Sequence, residues 1–315
     1  MQEKVRVLLA ENYALRNMTV SEVNRETAGV IWLAKSADSG KYSVKIIADY
    51  DRNEQQGRML EHLHRSGVNV VRQLATRQGE FSAVIDGERF AVFEYIEGEP
   101  LVKRIATNEG KYLRLFGQAL GELHRALALY HADSYETRNF AGEALNWALP
   151  ILDEHCRIEW WRSNSPMLKL RLEALETVFA ELPQQIVHRD AHDGNVIVAG
   201  DGALWFIDFE ISLFGARIFD PAYVCTGMLE NVFSMGNPDT VEAALAEKMR
   251  ALQGFLAAYS ETVRLTEREK TLVWEMMQII QLICAANCYN HGNAEAGDKN
   301  IKLLTWIARN KIEFV

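Results

Sequence analysis

Hydrophobic and polar positions change their spacing part way along the chain, and this change predicts two regions of different structure. Up to about residue 97, short runs rich in Val, Ile and Phe alternate with turn sequences, as expected of β-strands. The predicted strands are 28–34, 42–48, 71–75, 81–85 and 90–95. One helix is predicted between them at 52–65, where Met59, Leu60 and Leu63 recur at helical spacing.

After Gly98 the apolar positions recur mostly with the period of an α-helix. The predicted helices are 111–129, 168–182, 241–259 and 272–289. An island at 186–211 breaks this pattern, because two strand-like pieces there are joined by a Gly-Asp-Gly turn. We therefore predict a sheet-rich first domain, 1–97, and a mainly helical second domain, 98–315, that holds one β-hairpin.

Charge and composition narrow the class of protein. The 315 residues include 34 basic and 43 acidic side chains, and a net charge of −9 argues against a general nucleic-acid binder. No basic region followed by an apolar run opens the chain, so no signal peptide is predicted. The most apolar stretch, 272–288, contains polar residues such as Glu275 and Gln281 and is a poor membrane span. We expect a cytoplasmic protein without a nucleic-acid or membrane partner, and the sequence gives no indication of its oligomeric state.

The predicted hairpin contains the strongest candidate for chemistry. Its sequence VHRDAHDGN, followed by FIDFE, matches the His-x-Asp-x-x-x-x-Asn loop of phosphoryl-transfer enzymes with a second Asp on the hairpin. Such a reaction needs a base beside the attacking hydroxyl, and Asp190 is the candidate. Mg²⁺ prefers hard oxygen ligands, and Asn195 and Asp208 would supply them. The alternative is a polar turn that precedes a strand.

A metal-dependent hydrolase is a second interpretation of the same loop. On a strand, His188, Asp190 and His192 would share one face, and Asp193 would follow them. A zinc or two-metal site needs further ligands from elsewhere in the chain. The remaining histidines show no matching motif, which favours phosphoryl transfer.

The first domain is predicted to bind the nucleotide. Lys45 lies in an apolar strand, where a kinase uses a Lys to hold the α- and β-phosphates and to pair with a helical Glu, although it could also be a surface residue. Glu54 and Glu61 are candidates for that partner, and we choose Glu54 because it precedes the apolar face of its helix. The segment FEYIEGEP resembles a hinge, in which backbone groups of Glu94 and Ile96 would bond the adenine edge, or else it is a plain linker. The expected cofactors are ATP and Mg²⁺.

The chain resembles the aminoglycoside phosphotransferase, choline kinase and homoserine kinase-type superfamily over nearly its whole length. The resemblance rests on VKII around Lys45, EYIEGEPL, LGELH ending at His124, VHRDAHDGN, FIDFE, and FDPAYV containing Asp220. It implies an α+β, bilobal protein-kinase-like fold, with a small antiparallel-sheet N-lobe, a larger mainly helical C-lobe and ATP between them. It also implies that Asp220 braces the catalytic loop. The roles it implies for the site agree with those above: catalytic Asp190, and metal ligands Asn195 and Asp208.

Several positions depart from the protein-kinase pattern. Glu210 follows Asp208-Phe209 where protein kinases have Gly, and only twelve positions separate Asp208 from Asp220, with no Ala-Pro-Glu triplet after them. This favours a small-molecule kinase over a regulated protein kinase. No G-x-G-x-x-G loop is present, and 26–29 is the only nearby candidate to cover the phosphates. His192 replaces the usual Lys, and it would either contact the γ-phosphate or brace the loop.

The sequence thus predicts an ATP-dependent phosphotransferase whose acceptor is a small-molecule hydroxyl. Amino alcohols, hydroxy amino acids, sugars and aminoglycosides are all compatible acceptors, and the acids Asp193, Glu210 and Glu230 favour a cationic amine. The stretch 272–288 either lines the acceptor pocket or packs in the core. Two alternatives remain: a bacterial protein Ser/Thr kinase of the same fold, and a pseudokinase that binds nucleotide without transferring phosphate.

Overall fold

The computed structural model describes residues 1–25, 29–38, 40–131, 135–235 and 241–311. The chain divides into two compact units, and each has its own core. The first unit consists of 1–100 and 196–210. The second unit consists of 101–195 and 211–315.

The first unit is built on a five-stranded antiparallel sheet with the strand order β1-β2-β3-β5-β4. Helix α1, Gln2–Asn12, packs Leu8 and Leu9 into a core with Trp32 and Phe90 of the sheet. The strands are β1 Thr19–Arg25, β2 Gly29–Ser36, β3 Gly40–Ile46, β4 Ala83–Ile85 and β5 Glu88–Glu94.

Helix α2, Tyr50–Arg65, connects β3 to the segment before β4. Asp49 caps its start by accepting a hydrogen bond from the Arg52 N–H at 3.0 Å, which satisfies one of the unpaired amides of the first turn. Gly57 lets the helix approach closely, because a Cβ there would lie 2.2 Å from the Phe81 ring. The helix is therefore fixed in both position and rotation.

A three-stranded sheet completes the first unit, in the order β6-β8-β9. Its strands are β6 Gly98–Pro100, β8 Val196–Ala199 and β9 Leu204–Phe206. The hairpin expected in the second domain thus belongs to the first unit. The reason is hydrogen bonding: β8 pairs with β6, and the Val71 N–H donates to the Phe206 carbonyl at 2.9 Å. The first long segment ends at Pro100, three residues beyond the predicted boundary.

The second unit is mainly helical and contains one two-stranded sheet, formed by β7, Gln184–Val187, and β10, Leu213–Ala216. Helices α4 and α9 pack closely at Gly117, where a Cβ would lie only 2.2 Å from the Phe255 carbonyl oxygen. The helices are α3 Leu101–Ile105, α4 Glu109–Leu127, α5 Phe140–Glu143, α6 Leu149–His155, α7 Glu159–Ala180, α8 Phe219–Met235, α9 Val241–Thr262, α10 Glu267–Asn290 and α11 Ala294–Arg309. A π-helical turn, Ala144–Ala148, joins α5 to α6, and a 3₁₀ turn, Asp193–Asn195, precedes β8.

Helix α10 begins with a capping box, in which Thr266 and Glu269 each accept a backbone hydrogen bond from the other. Among the described helices, it alone is long and apolar enough to cross a membrane by length and composition. The most apolar window of α10 is 67% buried inside the unit, as is common for a core helix of a globular protein.

The predicted elements agree with the structure where the apolar period is strong. The expected helix at 168–182 begins earlier, as α7, and the expected strand at 71–75 is absent, with only isolated bridges at Val70 and Gln73. The elements that were not predicted include α1, β1, α8 and α11. The helical period of α1 and α8 is weak, so packing selects their buried faces, whereas α11 has a strong apolar period that the sequence reasoning overlooked.

Candidate functional site

Lys45 and Asp208, two of the predicted site residues, meet in the first unit. Lys45 lies on β3, and its Nζ donates to Asp208 Oδ1 at 3.0 Å and to Glu210 Oε1 at 2.7 Å. Burial disfavours the charged amine, but the two carboxylates outweigh burial and raise the pKa of Lys45 above its usual value. Asp208 has a left-handed backbone, with φ at +68°, which is uncommon for a non-glycine residue and frequent at functional sites.

A cavity of about 220 Å³ in the first unit contains this cluster. Its walls are mostly apolar with a few polar groups, which is typical of a small-molecule site. The lining residues that matter for the argument are Ile31, Leu33, Lys45, Phe93, Ile197 and Asp208.

The predicted hinge residues, Glu94 and Ile96, line the same cavity. The Tyr95 N–H donates to the Lys41 carbonyl at 3.0 Å, so the neighbouring Glu94 presents its peptide groups to the opposite edge of the strand. There the Glu94 N–H donates to the Arg72 carbonyl at 2.9 Å. In an extended chain, residues two positions apart present their peptide groups to the same edge of the strand. The Glu94 carbonyl and the Ile96 N–H could therefore both bond one edge of an adenine base. Adenine binding by these groups stays a prediction.

Glu54 does not pair with Lys45 in this structure, contrary to the expected contact. Its carboxylate is buried and accepts from the Phe81 N–H at 2.8 Å. Gln56, two residues later, lines the cavity instead. Two positions on a helix differ by about 200°, so these side chains point to opposite sides of α2.

Asp190 and Asn195, the other two predicted site residues, meet in the second unit. Asn195 Nδ2 donates to Asp190 Oδ2 at 2.7 Å and to the Asp190 carbonyl at 3.0 Å. This arrangement uses the amide nitrogen and keeps Asn195 Oδ1 as an oxygen ligand for a cation. Tyr223, on α8, donates its hydroxyl to Asp190 Oδ1 at 2.9 Å. Each oxygen of the Asp190 carboxylate is therefore held by a different donor.

Asp220 holds the backbone just before Asp190. Its fully buried carboxylate accepts from the His188 N–H at 2.7 Å and the Arg189 N–H at 2.8 Å. His124 Nε2 lies 2.8 Å from the same carboxylate. Burial alone would raise the pKa of Asp220, but the hydrogen bond and charge of His124 outweigh it and lower the pKa below its usual value. Arg189 has φ at +70°, a strained conformation for a long side chain, and Asp220 stabilises it.

A cavity of about 750 Å³ in the second unit lies against Tyr223. Arg189 Nη2 and Arg138 Nη1 each donate to Glu143 Oε1 at 2.8 Å on its wall. Apolar and aromatic side chains form much of the remaining surface: Trp147, Ile211, Phe219, Ile280 and Ile283. Helix α10 both packs in the core and contributes to this wall, and acceptor binding in this cavity stays a prediction.

His192 stabilises the loop around Asp190. Its Nδ1 accepts from the Gly194 N–H at 3.0 Å, and its Nε2 lies 3.9 Å from Asp190 Oδ2. The bracing role considered for His192 is therefore present in this structure, and a phosphate contact stays a prediction.

Asp208, which is predicted to bind Mg²⁺, shares the Lys45 amine with a second acid that was not a predicted ligand. In the first unit, Asp208 and Glu210 place two carboxylates around one ammonium, which leaves negative charge for a cation. Within the described ranges, no group of three or more His, Cys, Asp or Glu side chains is arranged to hold a metal ion. The predicted phosphate cover at 26–29 falls mostly on residues outside the described ranges.

Sequence reasoning missed four contacts at these sites. Glu210 shares Lys45 with Asp208, and the signal was its position two residues after Asp208. Gln56 and Glu143 gave no local signal, because their contacts depend on long-range packing. Tyr223 lies in the recognised FDPAYV segment, but that segment does not show that its hydroxyl reaches Asp190.

Comparison with known proteins places the chain in a family. The model of the phosphotransferase enzyme family, APH, matches residues 22–268. A homoserine kinase from Zymomonas mobilis subsp. mobilis is 24% identical over 217 residues, which cover 67% of this chain and 61% of that protein. The match therefore spans about three fifths of the relative's length.

Two solved structures share the fold at low identity. An amicoumacin kinase in complex with AMP-PNP and Ca²⁺ superposes with a TM-score of 0.71 at 16% identity, covering 98% of this chain and 93% of that one. A microcompartment-associated aminopropanol kinase gives 0.67 at 14% identity, covering 96% and 93%. These likenesses confirm the predicted α+β, bilobal protein-kinase-like fold. Because the family model spans most of the sequence, from residue 22 to residue 268, the chain belongs to the phosphotransferase enzyme family.

Proposed function

We propose that this chain is an ATP-dependent kinase that transfers the γ-phosphate, with Mg²⁺, to a hydroxyl of a small molecule. The observation that carries this proposal is the Asp190 carboxylate, which Asn195 and Tyr223 fix beside a cavity of about 750 Å³. A carboxylate fixed in this way suits a base that orients an attacking hydroxyl.

The first unit supplies the nucleotide site in this proposal. The adenine occupies the cavity of about 220 Å³, against the backbone of Glu94 and Ile96. Lys45 holds the α- and β-phosphates, whose oxygens replace the exposed Glu210 carboxylate. Asn195 and Asp208 supply oxygen ligands to Mg²⁺, which offsets negative charge on the phosphates. Glu54 has no direct role here, because it bonds the Phe81 backbone.

The reaction breaks the bond between the γ-phosphorus and its bridging oxygen and releases ADP. The acceptor oxygen forms the new bond to phosphorus, and Asp190 accepts or orients the proton that leaves that oxygen. Arg189 and Glu143 are near enough to orient the rest of the acceptor within the cavity of the second unit.

The chemistry of that cavity favours an acceptor with both a cationic and an anionic group. Two guanidiniums, Arg138 and Arg189, and one carboxylate, Glu143, line it. The acids that the sequence suggested, Asp193, Glu210 and Glu230, are not part of this lining. Hydroxy amino acids fit this mixed charge better than polycations do, and the homoserine kinase relative agrees with that choice. We further propose a cytoplasmic location, where ATP is available.

An ADP-release screen tests the proposed function. Purified protein with MgATP is offered amino alcohols, hydroxy amino acids, sugars and aminoglycosides, and phosphorylated product is identified by mass spectrometry. Asp190→Asn is expected to lower kcat by about 10²–10⁴-fold. Asp201→Asn, in the hairpin turn where the exposed carboxylate accepts from the Ala203 N–H, is the matched control and should retain wild-type activity.

Two results would contradict the proposal. Wild-type protein that forms no phosphorylated product with any class of acceptor would refute the transferase activity. Turnover by Asp190→Asn equal to that of Asp201→Asn would refute the role of Asp190 alone.

A further inference from the structure

Tyr223 contacts Asp190 and also lines the cavity of about 750 Å³. Its hydroxyl lies 2.9 Å from Asp190 Oδ1, and Asn195 Nδ2 lies 2.7 Å from Asp190 Oδ2. The two donors come from different elements, α8 and the 3₁₀ turn before β8. A carboxylate that is held at both oxygens cannot rotate freely about its last side-chain bond.

The ring of Tyr223 is itself fixed by packing. It stacks on Phe219 with ring centroids 5.8 Å apart and an interplanar angle of 15°. Phe219 in turn stacks on Phe140, with centroids 4.1 Å apart. Phe219 and Tyr223 both line the cavity of about 750 Å³. The hydroxyl is thus a rigid element between the cavity and the candidate base.

The hydroxyl is also a dependable donor. Burial and the charge of Asp190 both raise the pKa of Tyr223 far above its usual value, so it stays protonated at neutral pH. A protonated phenol can donate to Asp190 Oδ1, and it occupies a position from which a water molecule could otherwise bond that oxygen.

We propose that Tyr223 is a positioning residue that directs Asp190 towards the acceptor hydroxyl in the cavity and excludes water from its Oδ1. This inference rests on the proposed kinase function and adds a determinant of its specificity: the choice between an organic hydroxyl and water. When water is the nucleophile, the same P–O bond breaks, and the products are ADP and inorganic phosphate. Tyr223 suppresses that wasteful reaction.

The test uses Tyr223→Phe, which keeps the ring stack and removes only the hydroxyl. Tyr289→Phe is the matched control, because that hydroxyl also donates to a carboxylate, Asp298, in the same unit. Two rates are measured for each protein with MgATP: phosphate release without acceptor, and phosphorylation of L-homoserine and of 1-amino-2-propanol. Melting temperatures are measured alongside.

We expect Tyr223→Phe to transfer about tenfold to a hundredfold more slowly, the range for losing a hydrogen bond to a charged group. We also expect its acceptor-free phosphate release to rise severalfold above wild type. The KM for ATP should not change, because Tyr223 is not in the lining of the nucleotide cavity. Tyr289→Phe should keep the wild-type rates, even where its stability falls.

The ratio of transfer to hydrolysis does not depend on how much folded enzyme is present, so it remains informative if Tyr223→Phe is less stable. A ratio equal to that of wild type would overturn the role of Tyr223 and leave the kinase proposal intact. Absence of both rates in the wild type would instead refute the kinase function, and this inference with it.

Discussion

Replacing Asp220 by Asn tests whether its carboxylate holds the backbone of the candidate catalytic loop. Asp220→Asn changes one carboxylate oxygen to an amide NH₂ and keeps the volume of the side chain. In the native unit the carboxylate accepts from the His188 N–H, the Arg189 N–H and His124 Nε2. An amide has one acceptor oxygen, so its NH₂ must face at least one of these donors.

The cost follows from the burial of these groups, since Asp220 and His124 are fully buried. A buried donor without an acceptor costs about 1–3 kcal/mol, and breaking a buried charged network costs about 3–5 kcal/mol. In a unit of this size, each kcal/mol lost from the free energy of unfolding lowers the melting temperature by about 2–4 °C. We therefore expect a fall of about 6–20 °C in the melting of the second unit.

Activity and pH dependence should change in the same variant. Arg189 would relax from its left-handed conformation, and a shift of about 1 Å in the adjacent Asp190 is expected to cost about 100-fold in kcat. The lowered pKa of Asp220 stabilises the fold above the unfolded pKa of about 4, and this stabilisation is lost as pH falls through the lower folded pKa. The variant should therefore lose less stability than wild type on acidification below pH about 4.

Differential scanning calorimetry and the ADP-release assay measure these effects, with the exposed Asp201→Asn as control. A melting temperature within about 2 °C of wild type, together with unchanged kcat, would refute the bracing role of Asp220. A loss of stability with unchanged kcat would show that Asp220 supports the fold without positioning Asp190.

Two further predictions concern helix packing and nucleotide binding. Gly117→Ala should lower the free energy of unfolding of the second unit by about 1–3 kcal/mol, because the added Cβ would lie 2.2 Å from the Phe255 carbonyl oxygen. The control is Gly254→Ala, whose Cβ would meet no atom within 4 Å and which should raise that free energy by about 0.5–1 kcal/mol. Urea unfolding measures both changes. Lys45→Met should raise the KM for ATP by about 10–100-fold through loss of a charged hydrogen bond. The control for Lys45→Met is Lys41→Met on the same strand, whose exposed amine pairs with Glu97; an equal change in KM for both variants would contradict the role of Lys45.

The sequence predicted the parts of the site that depend on short separations. Asp190 and Asn195 are five residues apart in one loop, so the motif that suggested them also brings them together. Lys45 and Asp208 are far apart in sequence, but each belongs to a distinctive pattern, and the resemblance to a known superfamily linked them. Spacing was sufficient to bring Asp190 and Asn195 together, whereas Lys45 and Asp208 needed the resemblance, and the catalytic and binding roles of all four stay predictions.

The contacts that sequence reasoning missed depend on helix phase and on packing between distant elements. Glu54 was chosen as the partner of Lys45 because it precedes the apolar face of α2. The rotation of α2 instead places Gln56 in the cavity lining and turns Glu54 towards the Phe81 backbone. Tyr223 follows Asp190 by 33 positions, and only the start of α8 and the stack on Phe219 bring its hydroxyl to the carboxylate. A propensity or a motif cannot supply that information, because it arises from tertiary structure.

Asp190 and Lys45, the two charged groups on which the proposed function depends, are held by different kinds of partner. This difference suggests that the two units respond differently to ligand binding. Asp190 is held by two hydrogen-bond donors, Asn195 and Tyr223, and its carboxylate oxygens keep further lone pairs available. Neither donor needs to move when the phosphate-accepting substrate binds. Lys45 is held by two acceptors, and one of them, Glu210, is half exposed and competes with phosphate for the same amine. In the proposed function, nucleotide binding would therefore displace a carboxylate in the first unit, whereas Asp190 in the second unit is already held in place. Rearrangement on binding ATP should be confined to the Glu210 side chain, and the orientation of Asp190 should be the same before and after.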